Sequence, residues 1–398
     1  MSEQEKVRAI RSGMPAVTEH VYLNTGTFGP LPRVVTDAMR TESERELIDG
    51  RITTTSYERA TQLKQLAREE VARLLHCRPD QVALTRHTTD GINLAVMGRN
   101  WLPGDEIVTT DMEHPGAQGP IFNVARRFGV VVRTARLGTG AGDVVSAIAR
   151  LINTRTRMVV LSHLTWNTGA ILPVAEVAEL AHRVGALVVV DGAQSAGSIP
   201  VDVHALGVDV YAIPGQKWLC GPEGTGAVYF SDDALDQLYL TIVGYASLAP
   251  SGLEPIGGYF VPKATAERFE VGGVHLPALA GQVAALRWLR EEVGYDWIFQ
   301  RISELGRFAA QRLATLDGVQ VLTPLDRMAG LVSFTVRDCD PQKLVEALAQ
   351  RNVIVRWITH PYCVRLSVGF YNAEEDIERL VAALTEARAE LAGARSAV

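Results

Sequence analysis

Residues 186–226 read ALVVVDGAQSAGSIPVDVHALGVDVYAIPGQKWLCGPEGTG. They contain two apolar segments, Leu187 to Val190 and Val208 to Ile213, whose length and composition are typical of buried parallel strands. Asp191 follows the first segment, and Lys217 follows the second within a glycine-rich turn. Open α/β sheets bind ligands at the carboxyl ends of their strands, so we expect the acid and the lysine to face one ligand site.

An acid after one strand and a lysine after the next suit pyridoxal 5′-phosphate (PLP). The lysine amine condenses with the PLP aldehyde, and the carboxylate keeps the pyridine nitrogen protonated so that the ring withdraws electrons. Taken singly, each residue has an ordinary alternative, because a strand-end acid is often a turn residue and a lysine is usually a solvated charge. Residues elsewhere in the chain decide between these interpretations.

Two further segments carry polar residues at predicted turns. Thr88 and Thr89 follow the strand-like QVALT and precede a helical pattern, where backbone N–H groups and hydroxyls form a natural phosphate site. The alternative for both threonines is a plain N-cap. His114 lies in Glu113-His114-Pro115-Gly116, after the predicted strand Glu106 to Thr110. A lone histidine in such a turn is otherwise structural or exposed.

These segments together resemble the fold-type I PLP enzymes of aminotransferase class V, which include cysteine desulfurases, isopenicillin N epimerases and cysteine/cystine C–S lyases. The resemblance extends from VYLNTGTFGPLP (residues 21–32) to YNAEEDIERL (residues 371–380). It implies an α/β fold: a large domain with a mostly parallel seven-stranded sheet sandwiched by helices, and a smaller α+β carboxyl-terminal domain. We expect an N-terminal segment at residues 1–20 that packs with the small domain, the large domain at 21–277 and the small domain at 278–398.

The resemblance also implies the roles of individual residues. Lys217 holds the cofactor and acts as the base, and His114 stacks on the cofactor ring; these two are the expected catalytic residues. The other expected cofactor-binding residues are Asp191, Gln194 (to the ring oxygen), Thr88, Thr89, Asn167, Gln216, Gly272 and Gly273. The expected substrate-binding residues are Arg365, Arg356, Asn24, Asn167 and Trp166.

Arg365 also has an argument from its own chemistry. It alternates with Cys363 and Ser367 on one face of a predicted strand, and an arginine fork there suits bidentate capture of an α-carboxylate. The alternative is a surface ion pair.

Three positions depart from the family pattern at the phosphate end of the cofactor. Gln216 stands where the family usually has a histidine, Pro214 where it commonly has a hydroxyl, and Gly273 where it has a threonine that reaches across a dimer. Either backbone donors replace these contacts, or the cofactor is held loosely enough to favour an unusual reaction.

The reaction within the family is left open by the residues. A cysteine desulfurase needs an activated thiol on a mobile loop, whereas the connection WITHPYCV between Arg356 and Arg365 is short and Cys363 is predicted to lie on a strand. We therefore favour β-elimination from cysteine, cystine or an S-substituted cysteine, giving a thiol or persulfide, pyruvate and ammonia. The alternatives are desulfuration, epimerisation, decarboxylation-linked oxidative deamination and a non-catalytic PLP sensor.

Charge, hydropathy and cysteine spacing limit the kinds of partner that the chain is expected to bind. The chain has 398 residues and a formal net charge of -6, without a basic segment suited to nucleic acid. Apolar segments are too short to span a bilayer, the first residues lack the apolar core of a signal peptide, and the four cysteines form no CxxC pair typical of zinc sites. We expect a cytoplasmic enzyme with a small amino-acid substrate, no metal, and no nucleic-acid or membrane partner. The family resemblance implies a homodimer with a shared active site.

Three local expectations concern the second half of the chain. Gly244 to Pro262 is rich in Gly and Pro, which predicts a long irregular segment serving as a lid or an interface. A helix is predicted from Ala278 to about Glu292. The small domain is expected to contain one continuous strand over residues 353–357.

Overall fold

The computed structural model describes residues 2–396, with side chains for residues 2–392. Residue 1 and residues 397–398, the outermost parts of the expected N-terminal segment and small domain, lie outside the described residues. The helices are α1 (Glu3–Ser12), α2 (Ala16–Glu19), α3 (Arg33–Asp49), α4 (Thr54–Leu75), α5 (Thr88–Gly98), α6 (Pro115–Phe128), α7 (Val144–Ala149), α8 (Val174–His182), α9 (Asp232–Gln237), α10 (Leu276–Trp288), α11 (Tyr295–Ala314), α12 (Pro341–Ala349) and α13 (Glu374–Ser396). The strands are β1 (Val21–Tyr22), β2 (Val82–Thr85), β3 (Glu106–Thr110), β4 (Val131–Ala135), β5 (Thr156–Ser162), β6 (Leu187–Asp191), β7 (Val210–Pro214), β8 (Gly226–Phe230), β9 (Leu248–Glu254), β10 (Tyr259–Pro262), β11 (Val319–Val321), β12 (Leu331–Val336), β13 (Val353–Ile354), β14 (Arg356–Ile358) and β15 (Cys363–Ser367).

The larger sheet has seven strands in the order β2-β8-β7-β6-β5-β3-β4. The pairs from β7 through β4 are parallel, and β8 runs antiparallel to both of its neighbours. All residues of β6 and β7 are buried, which explains their continuous apolar sequences. The expected mostly parallel seven-stranded sheet is confirmed.

Helices cover both faces of this sheet. Val189 packs with apolar residues of α5 and α6, whereas Val188 and Val190 pack on the opposite face with residues of α8. This alternation follows from the two-residue period of side chains along a strand. The sandwich of helices around the sheet is therefore as the family resemblance implied.

The smaller sheet is antiparallel, with the order β11-β12-β15-β14. Its apolar face packs against α11 and α13 in a core separate from that of the larger sheet. The N-terminal helix α1 joins this part of the chain through ion pairs of Arg11 with Asp376 (2.7 Å) and Glu3 with Arg301 (2.6 Å). We propose that residues 278–398 form the small domain and that residues 2–20 pack with it.

Three local expectations are corrected. Gly244 to Pro262 is not irregular, because β9 and β10 form an antiparallel hairpin whose turn contains Gly257 and Gly258. The helix expected from Ala278 begins two residues earlier and ends at Trp288, where a π-helical turn at Leu289–Val293 follows. The strand expected over residues 353–357 is divided into β13, which pairs with β1, and β14, which pairs with β15.

The helices were also compared with the length and hydropathy of a membrane-spanning segment. Among the residues that the structure describes, no helix combines the length and the apolar character needed to cross a bilayer.

Candidate active site

Asp191 and Lys217 lie at adjacent ends of β6 and β7, which are paired with Asp191 opposite Ala212. Burial lowers the pKa of Lys217 to about 8; the negative charge of Asp191 opposes this shift, and the positive charges of Arg365 and Arg356 add to it. Burial raises the pKa of Asp191, against the positive charge of Lys217. The structure therefore brings together the acid and the lysine that the sequence singled out.

His114 is the N-cap of α6 and forms an edge-on contact with Trp166. Its Nδ1 accepts a hydrogen bond from the backbone N–H of Gly116 (3.0 Å), and the two rings are 5.1 Å apart at 86°. Burial, together with the positive charges of Lys217, Arg356 and Arg365, lowers the pKa of His114 to about 4. Near neutral pH the ring is therefore neutral, with its proton on Nε2.

Arg365 and Arg356 are directly opposite each other on β15 and β14. The guanidinium of Arg365 donates to the carbonyl oxygen of Trp166 (2.6 Å) and to Thr27 Oγ1 (2.9 Å), and Arg356 donates to the same hydroxyl at 3.4 Å. Burial lowers the pKa of Arg365 to about 9, and the charge of Arg356 contributes to the same shift. Within residues 2–392, neither arginine forms an ion pair with a carboxylate.

Gln194 is tied at both ends of its side-chain amide. Its nitrogen donates to the carbonyl oxygen of Gly26 (2.8 Å), and its oxygen accepts from the indole N–H of Trp218 (2.9 Å). Since the amide nitrogen has two hydrogens, one donor remains for the cofactor oxygen that Gln194 is expected to bind.

Asn24 and Asn167 have different surroundings. Asn24 Oδ1 accepts from Thr27 Oγ1 (2.8 Å), so Asn24 orients the hydroxyl that the two arginines share. Asn167 donates to the carbonyl oxygen of His360 (3.0 Å), and its own Oδ1 is buried without a hydrogen-bond partner in the described part of the chain.

The expected phosphate-binding residues fall into two groups. Thr88 and Thr89 are the first residues of α5, and a side chain at Gly116 would come within 2.4 Å of Thr89 Oγ1, so Thr89 adjoins the His114 turn. The backbone carbonyl of Gln216 accepts from Gly29 N at 2.8 Å, in the turn that carries Lys217.

Gly272 and Gly273 are not brought to this cluster. They lie beside Tyr245 in the wall of a cavity of about 940 Å³ that also includes Pro214, Gly215 and Thr225. Among the hydrogen bonds of the described residues, none joins either glycine to Lys217, Asp191 or His114. A role for these glycines in a neighbouring subunit's site stays a prediction.

Unpartnered polar atoms test whether the site fits PLP. Nearly all buried polar groups in proteins are hydrogen-bonded. Of the nine buried side-chain N and O atoms without a partner in residues 2–392, five belong to residues expected at this site. They are Thr88 Oγ1, Trp166 Nε1, Asn167 Oδ1, Gln216 Oε1 and Arg365 Nε. This concentration, beside a buried lysine and carboxylate, fits a polar cofactor and an amino-acid substrate.

Some residues of the site had no signal in the sequence. Thr27 and Trp218 act through contacts with residues far away in the chain, at Arg365 and Gln194. Glu113 was recognised only as a neighbour of His114, and no role was predicted for it. It is fully buried, accepts from Thr110 Oγ1 (2.6 Å) and Ser162 Oγ (2.7 Å), and has a pKa raised to about 7 by burial.

Cys363 lies two residues before Arg365 on β15. It is completely buried and paired with Ile358 across the strands. Burial raises the pKa of its thiol to about 11, with a hydrogen bond to Ser333 and the charge of Arg365 acting against that rise. Near neutral pH this thiol is therefore protonated, whereas reactive cysteines are thiolates.

Comparisons with known proteins agree with this geometry. The family model described as aminotransferase class-V matches residues 21–380. A probable cysteine desulfurase of Halalkalibacterium halodurans is 33% identical over 81% of this chain and 81% of its own length. The isopenicillin N epimerase of Amycolatopsis lactamdurans is 32% identical over 94% of this chain and 95% of its own length.

A solved structure of the cystine C–S lyase C-DES, in complex with its reaction product cysteine persulfide, is similar throughout. It superposes with a TM-score of 0.89 at 33% identity and covers 93% of this chain and 98% of C-DES. A second C-DES structure is a lysine-to-alanine mutant with glycine covalently linked to the PLP cofactor.

Proposed function

The chain belongs to aminotransferase class V and is a PLP-dependent enzyme, and on this premise we propose that it is a C–S β-lyase of cysteine, cystine or an S-substituted cysteine. In the overall reaction the Cβ–S bond breaks, the sulfur leaves as a thiol or persulfide, and water releases the remaining carbon skeleton as pyruvate and ammonia. The similarity to the cystine lyase C-DES supports this choice.

PLP, when bound, supplies an electron-withdrawing ring that stabilises negative charge at the substrate Cα. Lys217 would hold the cofactor, and its amine would then remove the Cα proton. Its pKa of about 8 supports this role, because an appreciable neutral fraction is available near physiological pH. Asp191 would hold the ring nitrogen, with His114 against the ring.

The substrate would be held by its α-carboxylate. Arg365 retains N–H groups, including the unpartnered Nε, beyond those that bond Trp166 and Thr27. A guanidinium with free donors and no acidic partner in the described residues suits a carboxylate from solution. Asn24 would affect substrate binding indirectly, since it accepts a hydrogen bond from the Thr27 hydroxyl to which both arginines donate.

The state of Cys363 is the observation that supports elimination over desulfuration. Sulfur transfer to the enzyme requires a thiolate that can approach the substrate sulfur. Cys363 is buried on a paired strand with a raised pKa, so it suits packing better than nucleophilic attack.

We also propose that the enzyme is a homodimer. The hairpin β9–β10 exposes apolar side chains, and an exposed apolar surface of this kind marks an interaction site. The exposed apolar side chains of the hairpin are Leu253, Ile256, Tyr259, Phe260 and Val261, and Ile256 is 99% exposed. The large cavity that includes Gly273 continues to Val271 and Val274, which are also exposed, so a second copy would cover both.

Product analysis tests the proposed reaction. The PLP-loaded enzyme is incubated with cystine, cysteine and several S-substituted cysteines, and every product is identified by mass spectrometry. Pyruvate with a thiol or persulfide is the expected result. Alanine with sulfur transfer would indicate a desulfurase, and an aldehyde with carbon dioxide would indicate decarboxylative deamination.

An unchanged panel would contradict a cysteine-type substrate and favour epimerisation. Lys217→Ala is the negative control and is expected to abolish product formation. Lys343→Ala, which alters an exposed lysine of α12, is the matched control and is expected to retain full activity.

A further inference from the structure

A small pocket lies beside Arg356, the strand partner of Arg365. It has a volume of about 260 Å³ and is lined by Trp166, Arg356, Trp357, Ile358 and Thr359. A cavity of roughly 150 Å³ is enough to hold a benzene ring. The pocket is therefore large enough for a ring-sized group in addition to the cysteine part of a substrate.

Two tryptophan rings, Trp166 and Trp357, stand beside the polar groups of Arg356 and Thr359 in the walls of the pocket. Trp357 is held edge-on against Tyr362, with ring centroids 6.2 Å apart, and Ile358 is 1% exposed. The guanidinium of Arg356 lies over the Trp166 ring at 5.8 Å. This combination of aromatic rings and a cation suits a ligand with a flat ring and a negative charge.

The charges around the pocket are unbalanced. Arg365 is 1% exposed and Arg356 is half-buried, and a buried cation is normally paired with an anion. The α-carboxylate of an amino acid supplies one negative charge, which suits Arg365. Trp166 Nε1 is a further buried donor without an acceptor in residues 2–392, next to Arg356. A second anionic group on the substrate would pair with Arg356.

We propose that this pocket, named here the indole pocket, binds the S-substituent of the substrate and selects a ring-sized apolar group that bears a carboxylate or a similar anion. The inference rests on the proposed lyase function, since the substituent is the leaving group of that reaction. Arg356 contacts the anion, and Trp166 and Trp357 contact the apolar body. Lys217 and Asp191 do not line the pocket. The pocket therefore affects which conjugate binds, whereas Lys217 and Asp191 act on the reacting atoms.

The probes are a matched pair, S-(4-carboxyphenyl)-cysteine and its uncharged carboxamide, S-(4-carbamoylphenyl)-cysteine. They have nearly the same size, and each releases an aryl thiol. The wild-type enzyme is expected to favour the carboxylate by about tenfold or more in kcat/KM, as expected for a partly buried charge pair. Arg356→Gln is expected to reduce this preference to within about twofold, mainly through KM, because the contact is remote from the reacting atoms.

Three variants separate this role from a folding defect. Arg356→Lys keeps the charge and is expected to retain part of the preference. Arg379→Gln removes an exposed arginine of α13 and is expected to change nothing. Trp357→Ala is expected to lower kcat/KM for both aryl substrates by a similar factor, so that the carboxylate preference persists. The PLP content of each variant is measured by its visible absorption.

The inference is overturned if the wild-type enzyme cleaves both aryl conjugates equally well, or if Arg356→Gln keeps the preference. In either case pyruvate still forms, and the lyase function stands. If neither cystine nor any aryl conjugate gives pyruvate, the proposed lyase function itself is wrong. The two failures are therefore distinguishable in one panel.

Discussion

The indole N–H of Trp218 donates to the side-chain oxygen of Gln194 at 2.9 Å, and this contact fixes the direction of the Gln194 amide. An indole nitrogen only donates, and the carbonyl of Gly26 at the other end of the amide only accepts. If the amide were reversed, its oxygen would face the Gly26 carbonyl oxygen and its NH₂ group would face the Trp218 N–H. Trp218 therefore determines which donor of Gln194 is free, and we propose that this donor binds the cofactor.

Trp218→Phe removes this N–H and is expected to weaken PLP binding about fivefold, the equivalent of one hydrogen bond. The measurements are the dissociation constant of PLP and the visible absorption band of the loaded enzyme. Trp101→Phe is the matched control, because it removes another buried indole hydrogen bond (2.7 Å to the Val96 carbonyl) away from the site. Equal PLP affinities for the two variants would contradict the role of Trp218.

Asp191→Asn replaces the carboxylate proposed to hold the ring nitrogen. We expect kcat to fall roughly 10²–10³-fold, as for the loss of one preorganised electrostatic contact at a reacting group, while PLP still binds. Steady-state kinetics with cystine and the PLP content give the two quantities. Asp233→Asn, at an exposed position of α9, is expected to be neutral. A kcat within a few-fold of the wild type would argue against a role of Asp191 at the ring.

Cys363→Ala tests whether the buried thiol takes part in the reaction. A lyase is expected to keep its kcat within about threefold, because a protonated, strand-bound thiol contributes packing and no nucleophile. Pyruvate formation from cystine is the readout. Complete loss of turnover with normal PLP content and thermal stability would instead indicate sulfur transfer through Cys363.

Glu106 is expected to make stability depend on acid. Hydrogen bonds from Arg133, Asn153 and Arg155 lower its pKa to about 2, against burial, which acts in the opposite direction. Because the folded pKa lies below the unfolded value of about 4.3, the stabilisation is fully present above roughly pH 5 and is lost as the pH falls toward 2. Because water screens the exposed arginines, ionised Glu106 is expected to add only about 1–2 kcal/mol to the free energy of unfolding.

Glu106→Gln is accordingly expected to lower the urea midpoint at pH 7 and to have a smaller effect at pH 3. Glu44→Gln, at an exposed position on α3, is the control and is expected to leave the midpoint unchanged at both pH values. An equal loss for Glu106→Gln at pH 7 and pH 3 would show that its charge is not the cause.

The proposed dimer predicts a solution mass of twice the 43.3 kDa of one chain. Ile256→Glu places a charge on the most exposed apolar residue of the hairpin and is expected to shift the equilibrium toward monomer. Sedimentation equilibrium measures this shift, and Leu325→Glu, an exposed position remote in sequence from the hairpin, is the control. A monomeric wild-type protein would rule out the shared site implied for Gly273.

Four strands of the larger sheet, β2, β3, β6 and β7, were predicted from their own residues, whereas the seven-stranded sheet was implied by the family resemblance. Leu187 to Val190 and Val208 to Ile213 are mostly apolar, and the acid and the lysine mark their carboxyl ends, although β7 begins at Val210. Helix α6 was not predicted, since Gly116, Gly119 and the internal Pro120 are weak helix formers. Its start depends instead on the His114 cap and on packing against the sheet.

The errors have physical reasons as well. Gly257 and Gly258 were interpreted as part of an irregular segment, although a glycine pair between two strands is equally a hairpin turn. The strand over residues 353–357 is divided because its two halves pair with strands of different sheets. The contacts of Thr27 with Arg365 and of Trp218 with Gln194 depend on tertiary geometry, which spacing in the sequence does not carry.

The antiparallel pairing of Arg356 with Arg365 has a consequence for protein engineering. Both cations and the wall residues Trp357 to Thr359 come from one short β-hairpin on the smaller sheet, whereas Lys217 and Asp191 follow strands of the larger one. On the roles proposed above, and apart from Trp166, leaving-group preference and proton transfer depend on separate parts of the chain. Residues 356–365 are a natural cassette, and exchanging them among relatives would diversify substrates while the catalytic lysine and its acid stay untouched.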